Sequence, residues 1–156
     1  MIIYRKATTD DIVQIIPLWR ELMDTHAQLE PMFKAVVNAE EKFAQYLEEI
    51  LGRENFFVCI ALSDGEVIGY LIASLSIQPE VFEFKRRAYI QDTLVKKDYR
   101  KQGIGRQLMD LAREFAVEQK ADRIDLLVAD KNESGKAFWA EMGFAHTLST
   151  MTIYLS

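Results

Sequence analysis

The sequence predicts an α/β domain of the mixed α+β kind, with a mostly antiparallel sheet and helices on both faces. A turn signal, Ser63-Asp64-Gly65, joins two apolar runs, and turns of this kind connect antiparallel strands. The segment from Tyr89 to Ala129 has the pattern strand, helix, strand, which pairs its strands in parallel through a right-handed crossover. The 156 residues show no internal repeat and no linker rich in proline or glycine. We therefore expect residues 1–156 to form a single domain.

The first third of the chain predicts one strand and two helices. Ile2 to Lys6 is a short strand, and Thr8 can cap the helix that follows it. Apolar side chains then recur at helical spacing: Ile12, Ile15, Ile16, Trp19, Leu22 and Met23. A second helix has its last apolar residue at Ile50 and ends before Gly52.

The rest of the chain predicts further strands and two more helices. Apolar runs indicate five strands: Phe56 to Leu62, Val67 to Leu75, Tyr89 to Val95, Ile124 to Ala129 and Thr150 to Leu155. The third helix carries an apolar face with Ile104, Leu108, Leu111 and Phe115. The fourth helix runs from Ser134 to Met142 and is stopped by Gly143.

Composition excludes several classes of protein. No run of about 18 apolar residues is present, so no membrane span is expected. The start of the chain lacks the apolar stretch of a signal peptide, which leads us to expect a cytoplasmic protein. Cys59 is the single cysteine and lies in the apolar run FFVCIAL, where it is expected to be a core residue. His26 and His146 are 120 positions apart and lack metal-site spacing, so no metal is expected.

The net charge of -5 hides one basic segment. Eight basic residues lie between Lys85 and Arg106, against only Asp92 and Asp98. In an acidic protein this local excess favours a specific anionic ligand, and the alternative is a solvated charged loop. Nucleic-acid binding is disfavoured by the net acidity and by the lack of aromatic residues in the loop.

The end of the predicted strand at Val95 leads into an anion-binding sequence. A helix begins near Gly103, and its first backbone N–H groups have no partner and favour negative charge. Glycine lets a phosphate approach the backbone, and the flanking cations add charge-assisted hydrogen bonds. The third glycine of a Rossmann fingerprint is absent, and no Walker P-loop occurs. The candidate binding residues are Arg100, Lys101, Gln102, Gly103, Ile104, Gly105 and Arg106.

Two motifs resemble the GNAT superfamily of N-acetyltransferases. Arg100-x-x-Gly103-x-Gly105, five residues after Val95, resembles the family's acyl-coenzyme A signature. The segment from Asn132 to Phe144 resembles the family's later motif, N-x-x-A-x-x-φ-Y-x-x-x-G-F, in which φ is apolar. The element order also resembles that of the family over essentially the full chain. The resemblance implies the GNAT acyl-CoA N-acyltransferase fold, whose central sheet is splayed in the middle.

The resemblance also implies an activity and its binding residues. Acetyl-CoA would be the cosubstrate, and a primary amine of a small molecule or peptide would attack it directly, without an acyl-enzyme. Leu94 and Val95 would pair their backbone with the pantetheine arm, and Asn132 would lie near that arm or the sulfur. Residues 101–106 would wrap the pyrophosphate. Members of the family often form homodimers through late strands, which would be Phe144 to Leu155 here.

The catalytic acid and base stay open at this point. The strand from Tyr89 to Val95 resembles the polyamine (diamine) acetyltransferase branch, in which Glu-Asp stands where this chain has Gln91-Asp92. Asp92 is the candidate base and Gln91 can orient a water or an amine. Strand alternation puts the two on opposite faces unless a bulge intervenes. Trp139 stands at the family's tyrosine acid, and it is expected to be a core or pocket wall residue.

Other donors and a different kind of function also stay open. Alternative proton donors are Tyr46, Tyr70, Tyr89 and Tyr154. Because Gln91 and Trp139 depart from the family pattern, the alternative to an enzyme is a non-catalytic acyl-CoA-binding module with the same fold.

Overall fold

The strands form one sheet in which they are ordered as they occur along the chain. The computed structural model describes residues 1–155 and contains β1 (Ile2–Lys6), β2 (Phe56–Ser63), β3 (Glu66–Ile77), β4 (Arg86–Val95) and β5 (Arg123–Leu126). Neighbours from β1 to β4 are antiparallel, and β4 and β5 are parallel. The predicted mixed, mostly antiparallel sheet is confirmed.

Helices cover both faces of this sheet. They are α1 (Ile12–Leu29), α2 (Ala39–Ile50), α3 (Ile104–Glu118) and α4 (Glu133–Glu141). One core cluster joins the sheet to α1 and α2, and a second joins it to α3 and α4. We call these two sides of the sheet the α1/α2 face and the α3 face. None of the helices within residues 1–155 has the length and apolar composition needed to cross a membrane.

Strand alternation explains why there are two cores. Along β2, Val58 and Ile60 pack on the α1/α2 face, while Cys59 and Ala61 pack on the α3 face. Both faces are buried, so β2 reads as a continuous apolar run. Cys59 is 0% exposed and burial raises the pKa of its thiol to about 12. Its predicted role as a core residue is confirmed, and its thiolate is not accessible as a nucleophile.

The turn into α1 is held by a buried carboxylate. Asp11 is 4% exposed and receives two hydrogen bonds from the Arg5 guanidinium, at 2.7 and 2.9 Å. It also accepts from the Thr8 backbone N–H at 2.7 Å. Arg5 and then Thr8 therefore lower the pKa of Asp11. This arrangement ties the end of β1 to the start of α1.

The last part of the chain differs from its prediction. The predicted strand from Ile124 to Ala129 ends at Leu126, and the predicted strand from Thr150 to Leu155 does not form. Apolar side chains in the last segment are exposed instead, including Met151 at 95% and Ile153 at 83%. An apolar run becomes a strand only where another strand edge pairs with its backbone. No such pairing occurs for residues 150–155, so the prediction from composition was wrong.

Candidate active site

The sheet opens between β4 and β5. Their parallel pairing begins at Arg87–Arg123 and ends at Ile90–Leu126. β4 continues for five more residues, from Gln91 to Val95, without a partner on that side. This gap leaves backbone hydrogen-bonding groups of a buried strand available to a ligand, as in strand addition. The splayed sheet expected from the sequence is confirmed.

The β3–β4 register shows which backbone groups point into the gap. Lys96 N–H donates to Ile68 O at 2.8 Å, which makes this facing pair a hydrogen-bonded one. Because such pairs alternate, the N–H and C=O of Leu94 face β3. Those of Thr93 and Val95 face the gap instead. Of the two predicted residues, Val95 is therefore the one whose backbone is turned toward a ligand in the gap.

The start of α3 lies just beyond the gap and has the geometry of an anion site. Gly103 caps the helix with φ of 82°, a left-handed conformation that favours glycine. Gln107 N–H donates to Gly103 O at 3.1 Å, the bond that closes the first helical turn. The three preceding N–H groups, of residues 104–106, therefore have no helical partner. A Cβ built on Gly103 meets no atom within 4 Å, so the space in front of the helix start is open.

Packing on the other side holds this helix start in place. The side chain of Ile104 is 1% exposed and belongs to the α3-face core. A Cβ on Gly105 would lie 3.1 Å from Phe138 Cζ of α4, so only glycine permits this close approach. Ile104 thus leaves its backbone N–H free at the helix start, while its side chain anchors the helix.

The basic segment divides into paired and free cations. Four of its cations form ion pairs with carboxylates: Lys85 with Glu80, Arg87 with Asp125, Lys96 with Glu66, and Arg100 with Glu21. Within residues 1–155 no ion pair engages Arg86, Lys97, Lys101 or Arg106. Arg86 donates to Gln119 O instead, and Lys101 and Arg106 lie at the start of α3. The ten residues of β4 separate the two ends of the basic segment by about 30 Å. The charges therefore form no single basic patch.

Two predicted binding residues instead make contacts within the protein. Arg100 Nε donates to Val95 O at 2.8 Å, and its Nη2 donates to Glu21 of α1 at 2.9 Å. The amide of Gln102 donates to Asp98 O at 3.1 Å. These bonds shape the loop that carries Lys101, whose φ of 60° is also left-handed. In this structure Arg100 and Gln102 support the anion site through the loop.

A bulge in β4 brings Gln91 and Asp92 to the same face. The register shifts so that Ile72 faces Asp92 whereas the next residue, Ala73, faces Ile90. Gln91 is the extra residue, and a bulge of this kind re-aims the side chains around it. Ile72 belongs to the α1/α2 face, so its partner Asp92 is on that face too. Gln91 Oε1 accepts from Tyr46 of α2 at 2.5 Å, which places Gln91 there as well.

Asp92 has the properties of a base that works near neutral pH. Burial raises the pKa of its carboxyl to about 6. Three phenols surround it: Tyr46, Tyr70 and Tyr89. Burial raises the pKa of each of them, and the Asp92 charge raises each one further. Each phenol is therefore protonated at neutral pH and can serve as a hydrogen-bond donor.

Asn132 and Trp139 are placed in structural roles. Asn132 Oδ1 accepts from Gly135 N–H at 3.0 Å and caps α4. Trp139 packs edge-on against Phe138 and Phe144, with centroids 4.8 and 5.4 Å away. Trp139 joins the α3-face core, as expected from its indole ring. It lies across the sheet from the face that holds Asp92.

With this geometry described, comparison with known proteins identifies the family. Residues 19–144 match the model of the acetyltransferase (GNAT) family. The chain belongs to the GNAT acetyltransferase family. The match covers well over half of the chain and includes the gap, the anion site and α4.

Individual relatives of this GNAT chain support the same assignment. An uncharacterized N-acetyltransferase of Archaeoglobus fulgidus is 26% identical over 136 residues, which are 87% of this chain and 88% of that protein. A variant of the BH1408 protein of Bacillus halodurans has a similar fold, with a TM-score of 0.85, 22% identity and 99% of both chains covered. A predicted acetyltransferase of Clostridium acetobutylicum, solved with acetyl-CoA, has a TM-score of 0.81 at 20% identity, covering 99% of this chain and 96% of that one. None of these matches separates the polyamine branch from other branches, so that finer resemblance stays a prediction.

The described residues contain no group of side chains suited to bind a metal ion. Within residues 1–155, no three His, Cys, Asp or Glu side chains are grouped so that they could hold a metal ion. The candidate site described above consists of backbone N–H groups, two cations, one carboxylate, one amide and three phenols.

Asn132 offers a test that separates its cap from a contact with the cosubstrate. Asn132→Ala should remove the cap and lower the free energy of unfolding by about 1 kcal/mol. Asn132→Asp retains a good N-cap, so thermal unfolding should return to the wild-type temperature. If the carboxamide also contacts acetyl-CoA, the aspartate variant will still bind it more weakly in a calorimetric titration. Wild-type affinity in Asn132→Asp would restrict Asn132 to capping.

Proposed function

We propose that the protein transfers the acetyl group of acetyl-CoA directly to a primary amine of a small molecule or peptide. One observation carries the proposal. A single strand, β4, connects the three parts that the reaction needs. Its free edge borders the gap, its end leads to the anion site at Gly103, and its bulge presents Asp92 on the α1/α2 face. Membership of the GNAT family supports this arrangement as an acetyltransferase site.

The residues of the gap and of the anion site fit acetyl-CoA. The amides of a pantetheine arm match the backbone N–H and C=O of Thr93 and the N–H of Val95, whose carbonyl accepts from Arg100. A pyrophosphate matches the free N–H groups at the start of α3, with Lys101 and Arg106 neutralising its charge. The open space before Gly103 allows the close approach that such a contact requires. Acetyl-CoA supplies an activated thioester carbonyl.

Asp92 is the residue we assign as the base. An alkylammonium has no lone pair, so the amine must lose a proton before it attacks. With a pKa of about 6, the Asp92 carboxylate is mostly ionised at pH 7 and can accept that proton directly or through water. Gln91 is held by Tyr46 and can orient the amine or the water. The phenols around Asp92 are the candidate donors to the departing thiolate.

The competing function is a non-catalytic acyl-CoA-binding module. The glutamine at position 91 and the tryptophan at 139 favour it, because neither can transfer a proton in place of the usual residues. The raised pKa of Asp92 on the acceptor side favours the enzyme, since a merely structural carboxylate is stabilised by hydrogen bonds or ion pairs. Binding without turnover would distinguish the module from the enzyme.

Calorimetry followed by an amine panel tests both functions. Acetyl-CoA should bind with a Kd in the micromolar range, or about -8 kcal/mol. Diamines, amino sugars, amino acids and short peptides are then added, and release of the free thiol is followed. Absence of acetyl-CoA binding would remove the proposal, and binding without thiol release from any amine would favour the module.

A homodimer through the last segment is part of the same proposal. Leu148, Met151, Ile153 and Leu155 are each more than 80% exposed, and such apolar surface is typical of an interface. We expect sedimentation of the full chain to give a dimer mass. A Met151→Glu, Ile153→Glu double variant should then sediment as a monomer, and a wild-type monomer would contradict this part.

A further inference from the structure

Tyr70 on β3 is buried in an unusual way. Its side chain is 0% exposed and packs in the core of the α1/α2 face. Its hydroxyl is the one buried side-chain polar atom of residues 1–155 that has no hydrogen-bond partner. Buried hydroxyls in native proteins are nearly always satisfied, so a hydroxyl like this one indicates a partner that acts at a functional site.

The position of Tyr70 in the sheet points to that partner. Tyr70 faces Leu94 on β4, and Ile72 faces Asp92, two residues away on the same face. Tyr70 and Asp92 are therefore diagonal neighbours across the β3–β4 pair, a separation that long side chains can span. The Asp92 charge also raises the pKa of Tyr70, after the effect of burial itself.

The chemistry of the two groups is complementary. An ionised carboxylate only accepts hydrogen bonds, and a phenol at neutral pH can donate one. Within residues 1–155 the Asp92 carboxylate receives no hydrogen bond and forms no ion pair, and it lies on the face of the sheet that also holds Tyr70. A hydrogen bond from the Tyr70 hydroxyl to the Asp92 carboxylate would satisfy both groups.

Other ionisable groups around Asp92 do not replace this partner. Tyr46 of α2 already donates to Gln91. Tyr89 of β4 packs its ring under the Arg87 guanidinium, 5.0 Å from the ring centroid, and is partly exposed, so solvent can satisfy its hydroxyl. Two charged side chains of α1 are engaged in ion pairs elsewhere, Glu21 with Arg100 and Arg20 with Asp24.

We infer that Tyr70 is a positioning residue for Asp92, and that its hydroxyl donates to the ionised Asp92 carboxylate once that side chain turns toward it. This inference rests on the proposed function, in which Asp92 is the base. The ammonium gives its proton to the Asp92 carboxylate, directly or through a solvent water. The amine is then neutral, Asp92 is protonated, and Tyr70 keeps its proton throughout.

Titration of the Asp92 carboxyl tests the inference without any acceptor. The full chain is labelled with ¹³C at the aspartate carboxyl carbons, and its NMR signals are followed from pH 4 to pH 9. The Asp92 signal is assigned by its loss in Asp92→Asn. In Tyr70→Phe the ionised carboxylate loses its donor, so the Asp92 midpoint should rise by about half a pH unit or more.

A matched control removes a hydroxyl from the other face. Tyr4 on β1 packs on the α3 face, and Tyr4→Phe should leave the Asp92 midpoint unchanged. Phenylalanine keeps the ring at both positions, so both variants should fold, and far-UV circular dichroism checks this. An Asp92 midpoint in Tyr70→Phe that equals the wild-type value would overturn the inference.

This outcome can be read separately from the proposed function. The titration uses the protein without acetyl-CoA or amine, so it holds even if the chain acetylates nothing. Acetyl-CoA turnover together with an unchanged Asp92 midpoint in Tyr70→Phe would support the acetyltransferase and exclude the positioning role of Tyr70. A shifted midpoint with no turnover on any amine would support the Tyr70–Asp92 link and remove the enzyme.

Discussion

Gly103→Glu is expected to weaken acetyl-CoA binding by about 100-fold or more, which corresponds to about 3 kcal/mol. The open space in front of Gly103 is where a pyrophosphate would meet the helix start, and the new carboxylate would occupy it with a negative charge. The free N–H groups of the first turn would bind that carboxylate in place of the ligand. Calorimetric titration with acetyl-CoA measures the loss directly.

Two control variants separate this effect from damage to the fold. Gly52 has φ of 85° and open space around its Cβ, as Gly103 does, but it follows α2 near the start of β2. Gly52→Glu should therefore cost similar stability, about 1–2 kcal/mol for a left-handed residue, and leave binding intact. Gly103→Asn tolerates the left-handed conformation without adding charge, and should lose much less affinity. Unchanged affinity in Gly103→Glu would exclude the helix start from the binding site.

Asp92→Asn is expected to lower kcat by about 10²- to 10⁴-fold while the affinity for acetyl-CoA stays near the wild-type value. The amide is close in shape to the carboxylate but cannot accept a proton at neutral pH. In the wild type, turnover should fall as the pH drops below about 6, because the base becomes protonated there. The variant should lack this acid limb in its pH–rate profile.

The same substitution is expected to stabilise the protein. The folded-state pKa of Asp92 is raised to about 6, above the ordinary value of 3.8. The folded state therefore holds a proton that the unfolded state loses between these pH values, and stability falls as the pH rises through this window. Above pH 6 the folded protein carries the ionised, partly buried Asp92 carboxylate, and the free energy of unfolding is lowered by its full desolvation cost. At pH 8 the free energy of unfolding of Asp92→Asn should therefore exceed that of the wild type by about 1–3 kcal/mol. The variant should also unfold at a higher temperature.

Asp10→Asn provides the control for this pair of effects. Asp10 is exposed at the start of α1, away from the bulge. Its substitution should change neither kcat nor the pH at which activity falls. Full activity of Asp92→Asn on an amine that the wild type acetylates would show that another group takes the proton.

Most of the fold was predictable because local signals determine it. Each of these signals involves residues that are close together along the chain. They are the apolar periodicities of α1, α2 and α3 and the hairpin turn at Asp64-Gly65, and the structure confirms them. The strand predicted from Thr150 to Leu155 was wrong, because strand formation depends on a distant edge that composition does not reveal. The end of β5 at Leu126 has the same cause, since its pairing with β4 stops there.

The anion-binding side and the acceptor side of the candidate site also differ in how far they could be predicted from the sequence. The anion site was predictable because Gly103, Gly105 and the free cations are adjacent in sequence and their chemistry follows from one helix start. On the acceptor side the resemblance named Gln91 and Asp92, but the residues around them were not predictable. Tyr46, Tyr70 and Asp92 come from three elements, and sequence reasoning placed the two tyrosines only among several possible donors.

The sequence by itself determined the helix start at Gly103, the mixed sheet with helices on both faces and the resemblance that led to the GNAT family. Only the tertiary structure decided that the bulge at Gln91 turns Asp92 toward Tyr46 and Tyr70. It also decided that Arg100 binds Glu21 of α1. The physical reason is that helix starts and periodicities depend on neighbours along the chain. A bulge, a buried pKa and an ion pair between elements depend instead on how distant segments pack.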